Sequence, residues 1–407
     1  MPGALDGLKV LDLSRVLAGP WASQVLGDLG ADIIKVERPD GGDETRPWGP
    51  PYLKDTQGRD TSEAAYYLSA NRNKRSVTID MARPEGQKLV KALAAQSDVL
   101  IENFKVGGLK KYGLDYESLK TLNPRLIYCS ITGFGQTGPY AARAGYDFLI
   151  QGMGGLMSVT GGKDGAPGAG PQKVGVALTD ILTGLYSVIG ILAALDHRHR
   201  TGEGQHIDMA LLDVQVSSLA NQNMNFLTSG KAPVRMGNAH PNIVPYQDFP
   251  TADGGVIIAT GNDRQFAAVA SAMGHPEWAK DERFTTNKAR VANRDVLIPL
   301  MSEASGTKTT KEWVEIFEAV HVPCGPINSI ADVFADPQVV ARGMRIEMPH
   351  PLAGLVPLVA SPIRLSETPV GYELPPPLLG EHTRAVLAER LGLGKDEIDQ
   401  LADQKVI

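Results

Sequence analysis

Cysteine is scarce in this chain of 407 residues, which contains only Cys129 and Cys324. Cys129 lies inside the strand-like segment LIYCSIT. Two isolated thiols make neither a disulfide framework nor a C-x-x-C motif, so a reducing compartment with buried thiols is the simplest interpretation. We therefore expect neither cysteine to be a nucleophile.

The chain also lacks an excess of positive charge, since its formal net charge is -6. This argues against nucleic acid or an anionic membrane surface as the main partner. The start, MPGALDGLKVLDL, has neither an apolar core preceded by positive charge nor an arginine-rich amphipathic stretch. We expect a cytoplasmic protein in which a local basic cluster holds any anionic ligand.

Common catalytic motifs are missing: there is no G-x-S-x-G, no P-loop and no H-E-x-x-H. GFGQTG, at 133–138, matches the dinucleotide fingerprint, but Pro139 follows it and its strand is not the first of the sheet. NAD binding is therefore not favoured. His197, His199 and His206 lie among arginines at a helix end, where cations complement the helix dipole, so we expect a structural role for them and no metal site.

Long apolar runs are absent except one, Val174 to Leu195, in which Asp180 is the only charged residue. The run is long enough to span a membrane, but hydroxyl and glycine residues dilute it and no second span accompanies it. A buried helix of a soluble protein is favoured, with Asp180 in its first turn. There a carboxylate either caps the helix, which is the common role, or serves chemistry.

Strand and helix patterns alternate in the first part of the chain. Residues 8–13 and 31–36 read as buried strands flanking a helix at 19–29, which makes a parallel βαβ unit. Further strands are predicted in DVLIEN and RLIYCSIT, and a helix begins at Pro84. These patterns predict an α/β fold with a doubly wound parallel sheet.

The length exceeds the roughly 250 to 300 residues of a usual single core, so we expect two domains. Residues 228–245, rich in proline, read as a connector, and strand and helix patterns resume in GGVIIAT and RQFAAVASAMG. The predicted division is a large domain at 1–225, a small α/β domain at 226–330, and a segment at 331–407 that returns to the large domain.

Two basic clusters lie at predicted loops: NRNKR at 71–75 and NFKVGGLKK at 103–111. Both would ordinarily be solvated charged loops. Together with Arg38, which follows the second strand, they are expected to form a cationic groove for a polyphosphate.

An ordered series of segments resembles the family III CoA-transferases, the formyl-CoA and carnitine CoA-transferase family. The segments include LDLSRVLAGPWASQVLGDLGADIIKVE, NRNKRSVTID, RAGYD, VGVALTDILTG and PPLLGEHT, and the resemblance covers nearly the whole length. It implies a Rossmann-like large domain with a small domain, and two subunits threaded through one another as an intertwined ring-like homodimer. It also implies that Asp180 is the nucleophile.

The resemblance further implies that coenzyme A or acyl-CoA is a substrate, with no permanently bound cofactor. The residues implied for the CoA site are Val16, Arg38, Asn71, Lys74, Asn103, Phe104, Lys111 and Tyr146. Arg143, His240 and Gly261 are candidates for contacting the acid substrate.

The stretches YYLSANRNKRS and MGNAHPNIVPYQDF resemble family members that use succinyl-CoA and glutarate. The implied function is transfer of CoA from a short-chain acyl-CoA, such as succinyl-CoA, to a dicarboxylate, such as glutarate, through aspartyl anhydride and aspartyl-CoA thioester intermediates. Two alternatives stay open. A 2-methylacyl-CoA racemase of this fold needs a histidine where this chain has Tyr146, a poor base at neutral pH, and a non-catalytic CoA-binding protein would not need Asp180.

Overall fold

The computed structural model describes residues 2–407, which form two compact units. The larger unit contains residues 2–156, 174–223 and 340–407, and the smaller unit contains Met157–Lys173 and Met224–Val339. Residues 157–173 and 331–339, which the sequence-based division places outside the small domain, therefore cluster with the smaller unit.

A six-stranded sheet, parallel throughout, organises the larger unit. Its strands, with the order β5-β2-β1-β6-β7-β8, are β1 (Lys9–Asp12), β2 (Asp32–Glu37), β5 (Lys74–Thr78), β6 (Val99–Glu102), β7 (Ile127–Thr132) and β8 (His206–Ala210). Numbered along the chain within this sheet, the order is 3-2-1-4-5-6, as in doubly wound nucleotide-binding sheets. The predicted α/β fold with a large parallel sheet is confirmed.

The remaining strands form three small antiparallel sheets. Their bounds are β3 (Tyr52–Lys54), β4 (Asp60–Ala64), β9 (Tyr246–Pro250), β10 (Gly255–Ala259), β11 (Cys324–Pro326), β12 (Arg345–His350) and β13 (Gly354–Val359). β3 pairs with β4 and β12 with β13 in the larger unit, whereas β11, β10 and β9 form the sheet of the smaller unit.

Helices surround these sheets. They are α1 (Ala18–Asp28), α2 (Ala65–Leu68), α3 (Pro84–Ala95), α4 (Tyr116–Leu122), α5 (Asp147–Met153), α6 (Leu156–Val159), α7 (Leu178–Thr201), α8 (Leu211–Ser218), α9 (Ala220–Ser229), α10 (Asp263–Ala272), α11 (Asn287–Ala292), α12 (Arg294–Ser305), α13 (Thr310–Ala319), α14 (Ile330–Ala335), α15 (Pro337–Ala341), α16 (Thr383–Leu391) and α17 (Lys395–Asp403). Short 3-10 helices lie at Lys110–Tyr112 and Pro276–Lys280.

The apolar run of the sequence forms α7, which packs against α1 and the sheet. It is the one helix among residues 2–407 long and apolar enough to cross a membrane by length and composition, and half of its most apolar window is buried inside the protein. One face contributes Val188 and Ile191 to a core shared with β1 and α1. The opposite face exposes Leu185, Tyr186, Ile189 and Leu192.

A glycine determines how closely α1 and α7 approach. A Cβ atom at Gly184 would lie 2.7 Å from the carbonyl oxygen of Ala18 and 3.2 Å from the side chain of Trp21. Only a residue without a side chain fits there. Since Gly184 lies one helical turn after Asp180, this close packing brings the start of α1 beside Asp180.

Candidate active site

Asp180 lies in a cavity of the larger unit with a volume of about 180 Å³. The cavity is bounded by the segments that follow β1, β6 and β7 and by the first turn of α7. These three strands are parallel neighbours, so the cavity opens at the carboxyl edge of the sheet, where doubly wound folds bind ligands. Six predicted site residues line it: Val16, Asn103, Phe104, Arg143, Tyr146 and Asp180.

Asp147, at the start of α5, caps the helix that carries Asp180. Its Oδ1 accepts the backbone N–H groups of Thr179, at 2.8 Å, and Asp180, at 3.3 Å. Its Oδ2 accepts a hydrogen bond from the Gln151 amide at 2.7 Å. The capping role considered for Asp180 therefore belongs to Asp147, and the Asp180 carboxylate is free for another role.

The Asp180 side chain is 8% exposed, and no hydrogen bond to its carboxylate oxygens is found within residues 2–407. Burial and, to a smaller degree, the negative charge of Asp147 raise the pKa of Asp180 to about 7, from an ordinary value of 3.8. A carboxylate that is poorly solvated and lacks hydrogen bonds is more nucleophilic than one in water. This is the environment expected of a reactive carboxylate.

The first turn of α1 provides donors beside it. Ala18 lines the same cavity, and the backbone N–H groups of Ala18 and Gly19 have no acceptor in the part of the chain that the structure describes. Unpaired N–H groups at a helix start attract negative charge. They are suited to stabilise an oxyanion that forms next to Asp180.

The Asn103 side chain forms hydrogen bonds with the backbone of Arg15. Its Oδ1 accepts the N–H of Arg15 at 3.0 Å, and its Nδ2 donates to the carbonyl oxygen of Arg15 at 2.7 Å. The Arg15 guanidinium lies over the Phe104 ring, 4.7 Å from its centroid, and forms an ion pair of 2.5 Å with Glu44. Asn103 thus joins the segments after β1 and β6, and its side-chain amide is already used within the protein.

Two of the residues predicted to contact CoA are buried rather than solvated. Asn71 and Lys74 are completely buried, and the Lys74 ammonium donates to Pro20 O and to Asn71 Oδ1, each at 2.9 Å. Burial lowers the pKa of Lys74 to about 7. The sequence placed both in a solvated loop, but Lys74 begins β5 and pairs with β2, which directs its side chain into the protein. Neither residue lines the cavity, so a contact with CoA stays a prediction for both.

The other predicted residues are distributed as follows. Arg38 and Lys111 are exposed and lie outside the lining of the cavity, so a contact with CoA stays a prediction for each. His240 and Gly261 belong to the smaller unit, and their roles also stay predictions. Arg143 lines the cavity, with its guanidinium 4.7 Å from the centroid of the Tyr140 ring.

Asp147 is a residue of the candidate site that the sequence did not single out, although it ends the segment RAGYD. The available signal was its position at the start of a short helix, with Gln151 one turn later. No group of three or more metal-ligating side chains occurs within residues 2–407. His206 instead shares a hydrogen bond of 2.9 Å with the Ser130 hydroxyl and stacks on Tyr116.

Comparison with known proteins identifies the family of this chain. The model of CoA-transferase family III matches residues 5–383. A succinate–glutarate CoA-transferase of Agrobacterium fabrum is 56% identical over 385 residues, which cover 95% of this chain and 95% of that protein. Succinyl-CoA:glutarate CoA-transferase of Homo sapiens is 44% identical over 403 residues, covering 99% of this chain and 90% of that protein.

Solved structures show the same fold. The crystal structure of a CAIB/BAIF family protein from Brucella suis superposes with a TM-score of 0.83 at 56% identity, covering 96% of this chain and 100% of that one. The structure of Rv3272 from Mycobacterium tuberculosis gives a TM-score of 0.82 at 31% identity, covering 94% of this chain and 99% of that one.

Proposed function

Because this chain belongs to CoA-transferase family III and is an enzyme of the CoA-transferase type, we propose that it transfers CoA from succinyl-CoA to glutarate or a similar short dicarboxylate. The names of its relatives at 56% and 44% identity support these substrates. The observation that carries the mechanism is the Asp180 carboxylate, which is buried beside the cavity without hydrogen bonds and has its pKa raised to about 7.

The reaction proceeds by covalent catalysis at Asp180. A carboxylate oxygen attacks the thioester carbonyl carbon of succinyl-CoA, the carbon–sulfur bond breaks, and CoA thiolate departs. Asp180 then carries the succinyl group as an acyl-aspartyl anhydride. The thiolate attacks the aspartyl carbonyl carbon and succinate leaves, so that Asp180 now carries CoA as a thioester. A glutarate carboxylate attacks this thioester and releases the thiolate, which then attacks the glutaryl carbonyl carbon of the second anhydride. Glutaryl-CoA forms and Asp180 is regenerated.

Each of these steps passes through a tetrahedral oxyanion. The unpaired N–H groups of Ala18 and Gly19 support stabilisation of that charge, and one such donor contributes about 3 kcal/mol in other acyl-transfer enzymes. The buried position of Asp180 also keeps water away from the anhydride and thioester, which would otherwise hydrolyse.

We assign recognition of the distal carboxylate of the acceptor to Arg143. It lines the cavity, and its guanidinium lies over two aromatic rings, 5.0 Å from the centroid of Phe134 and 4.7 Å from the centroid of Tyr140. Unlike Arg15, which pairs with Glu44, Arg143 has no carboxylate within ion-pair distance among residues 2–407. A guanidinium that has no carboxylate partner among the described residues is suited to bind a substrate carboxylate with two hydrogen bonds.

We also propose an oligomeric state and a cellular location for the enzyme. The exposed apolar face of α7 supports an intertwined, ring-like homodimer with a Rossmann-like large domain in each subunit. The acidic net charge supports an enzyme that has neither nucleic acid nor an anionic membrane surface as its main partner, and the proposed location is cytoplasmic. CoA enters as a substrate rather than as a permanently bound cofactor.

The test is the Asp180→Ala variant, with Asp196→Ala as the matched control because Asp196 is an exposed aspartate of the same helix. The Asp180 variant should lose at least roughly 1,000-fold in kcat, since the step through the nucleophile is removed. Incubation of the wild type with succinyl-CoA alone should give a protein whose mass includes CoA attached at Asp180. Substantial turnover by the Asp180 variant, or attachment of CoA elsewhere, would contradict the mechanism.

A further inference from the structure

Val16, in the wall of the cavity, has an unusual backbone conformation. Its φ angle is +71°, in the left-handed region, and it is the only β-branched residue within 2–407 with a positive φ. A branched Cβ atom makes this conformation unfavourable, so it persists only where the surroundings impose it. Val16 occupies the turn between β1 and α1, one residue before the N-cap Leu17.

A buried ion pair between Lys35 and Asp43 imposes this conformation of Val16. The Asp43 carboxylate accepts the Val16 N–H, with distances of 3.2 Å and 3.3 Å to its two oxygens. The Lys35 ammonium donates to Asp43 at 2.9 Å and to the carbonyl oxygen of Ser14 at 2.8 Å. Both side chains are fully buried. One ion pair therefore holds the backbone on both sides of residue 15, and Asn103 holds residue 15 itself.

The carboxylate of Asp43 is also fixed in position and in charge. Thr45 donates to its Oδ1 through its N–H, at 2.9 Å, and through its hydroxyl, at 2.8 Å. Burial opposes ionisation, but the charge of Lys35 and these hydrogen bonds outweigh it and lower the pKa of Asp43 to about 2. Asp43 is not part of the cavity lining, so its effect on the site passes through Val16.

We propose that Asp43 is a positioning residue for the acyl transfer. By holding Val16 in the left-handed conformation, its carboxylate directs the chain so that α1 begins with free N–H groups and Ala18 lines the cavity beside Asp180. The inference rests on the proposed function, because it assumes that an oxyanion forms next to Asp180. It assigns a role in turnover to a residue that touches neither substrate.

The experiment compares Asp43→Asn in two backgrounds, wild type and Val16→Gly. In the wild-type background, Asp43→Asn should lower kcat for succinyl-CoA and glutarate by 10-fold or more, while KM for succinyl-CoA changes by less than about three-fold. Glycine adopts a φ of +71° without a steric penalty. In the Val16→Gly background, the same substitution should therefore lower kcat by no more than about three-fold.

Asp28→Asn is the matched control, because Asp28 is a buried aspartate of the same unit, is paired with Arg72 at 2.6 Å, and lies at the opposite end of α1 from Ala18. Asp28→Asn should lower the Tm without a selective loss of kcat, and Val16→Gly should not change its effect. A kcat loss from Asp43→Asn that is equal in both backgrounds, or absent in wild type, overturns the proposal. If Asp43→Asn alone does not fold, the comparison of Val16→Gly with the double variant still decides, since a 10-fold loss there contradicts it.

Failure of this inference is distinguishable from failure of the proposed function. If the wild type neither transfers CoA from succinyl-CoA to glutarate nor forms the CoA thioester, the proposed function is wrong, and the positioning role of Asp43 is then wrong as well. If the wild type is active and the two backgrounds respond alike, only the role of Asp43 is wrong.

Discussion

At the scale of single residues, two neighbouring aspartates differ in what surrounds them. Asp147 accepts two backbone N–H groups and a side-chain amide, so its negative charge is held by hydrogen bonds. Asp180 has no such partners among the described residues and is desolvated, and Asp147 itself adds to the rise in its pKa. The same side-chain type therefore caps a helix at one position and is the proposed nucleophile at the other.

The first prediction concerns pH. Because the carboxylate form of Asp180 is required, kcat/KM should rise with pH through about 7, well above the ordinary aspartate value of 3.8. Asp147→Asn keeps an acceptor oxygen for the Thr179 N–H but removes a negative charge, so the acid limb should move to lower pH. Asp196→Asn, at the other end of α7, should leave it in place. A limb that does not move in the Asp147 variant would show that its charge has no influence on Asp180.

The second prediction concerns stability. Above pH 7 the folded protein carries a charged Asp180 that burial disfavours, whereas the unfolded chain holds it solvated with an ordinary pKa. Because the pKa of Asp180 is raised in the folded state, the contribution of Asp180 to the free energy of unfolding falls as pH rises from about 4 to 7, by about 1.4 kcal/mol per pH unit over that interval. Asp180→Asn should therefore stabilise the protein more at pH 8 than at pH 5, as measured by urea unfolding. A gain that is the same at both pH values would disagree with the raised pKa.

The third prediction concerns Arg143. Arg143→Gln should lower kcat/KM for glutarate by roughly 10- to 100-fold, the equivalent of losing a charge-assisted hydrogen bond worth about 1.5–3 kcal/mol. Transfer to butyrate, a monocarboxylate of similar length, should change little. If both acceptors lose activity equally, Arg143 does not recognise the distal carboxylate.

At the scale of elements, the site depends on how α1 and α7 pack. The proposed nucleophile, Asp180, belongs to α7 and the free N–H groups to α1, so their relation is determined by the contact at Gly184. A second close contact, in which the Cβ position of Gly133 lies 2.5 Å from the Cα atom of Gly145, holds the segment of Arg143 against the end of β7. Both contacts require glycine, because the Cβ atom of any other residue would be too close to its neighbour.

The fourth prediction tests that packing. Gly184→Ala places a methyl group 2.7 Å from Ala18 O, so the helices must separate, at a cost of about 1–3 kcal/mol and with a clear loss of kcat. Gly190→Ala on the same helix is the control, because its Cβ would lie 3.4 Å from Ile207 Cγ2, near ordinary contact. That variant should keep its activity and have an equal or higher Tm. Equal behaviour of the two variants would refute the role of the close approach.

At the scale of the whole molecule, apolar side chains remain exposed along several helices of the larger unit. On α7 they include Ile189, which is 60% exposed, and on α5 they include Phe148, which is 59% exposed. Soluble monomers rarely expose such continuous apolar surface. In the proposed intertwined dimer, a second copy of this chain covers this apolar surface.

The fifth prediction follows from this surface. Light scattering should give a mass of twice the 43.5 kDa of one chain. Ile189→Asp should lower the dimer fraction or the soluble yield, because it would bury an unpaired charge in the interface. Leu122→Asp, at an exposed apolar position of α4, should leave the mass unchanged. A wild-type mass of one chain would exclude the dimer.

The amino-acid sequence alone determined the elements and the place of the proposed nucleophile in them. The strands at Lys9–Asp12, Asp32–Glu37 and Ile127–Thr132 and the helix containing Asp180 follow from apolar periodicity and local propensity. These depend on residues close together along the chain. The position of Asp180 in the first turn of a helix could be predicted for the same reason.

Only the tertiary structure decided which polar groups meet. Lys74 lies in a charged stretch that resembles a loop, yet pairing of β5 with β2 buries its ammonium, because backbone hydrogen bonds along a sheet outweigh local charge pattern. Asp147 lies 33 residues before Asp180, and Asn103 lies 88 residues after Arg15. The free carboxylate, its raised pKa and the geometry of Val16 depend on such distant contacts, which chain folding creates and no local pattern records.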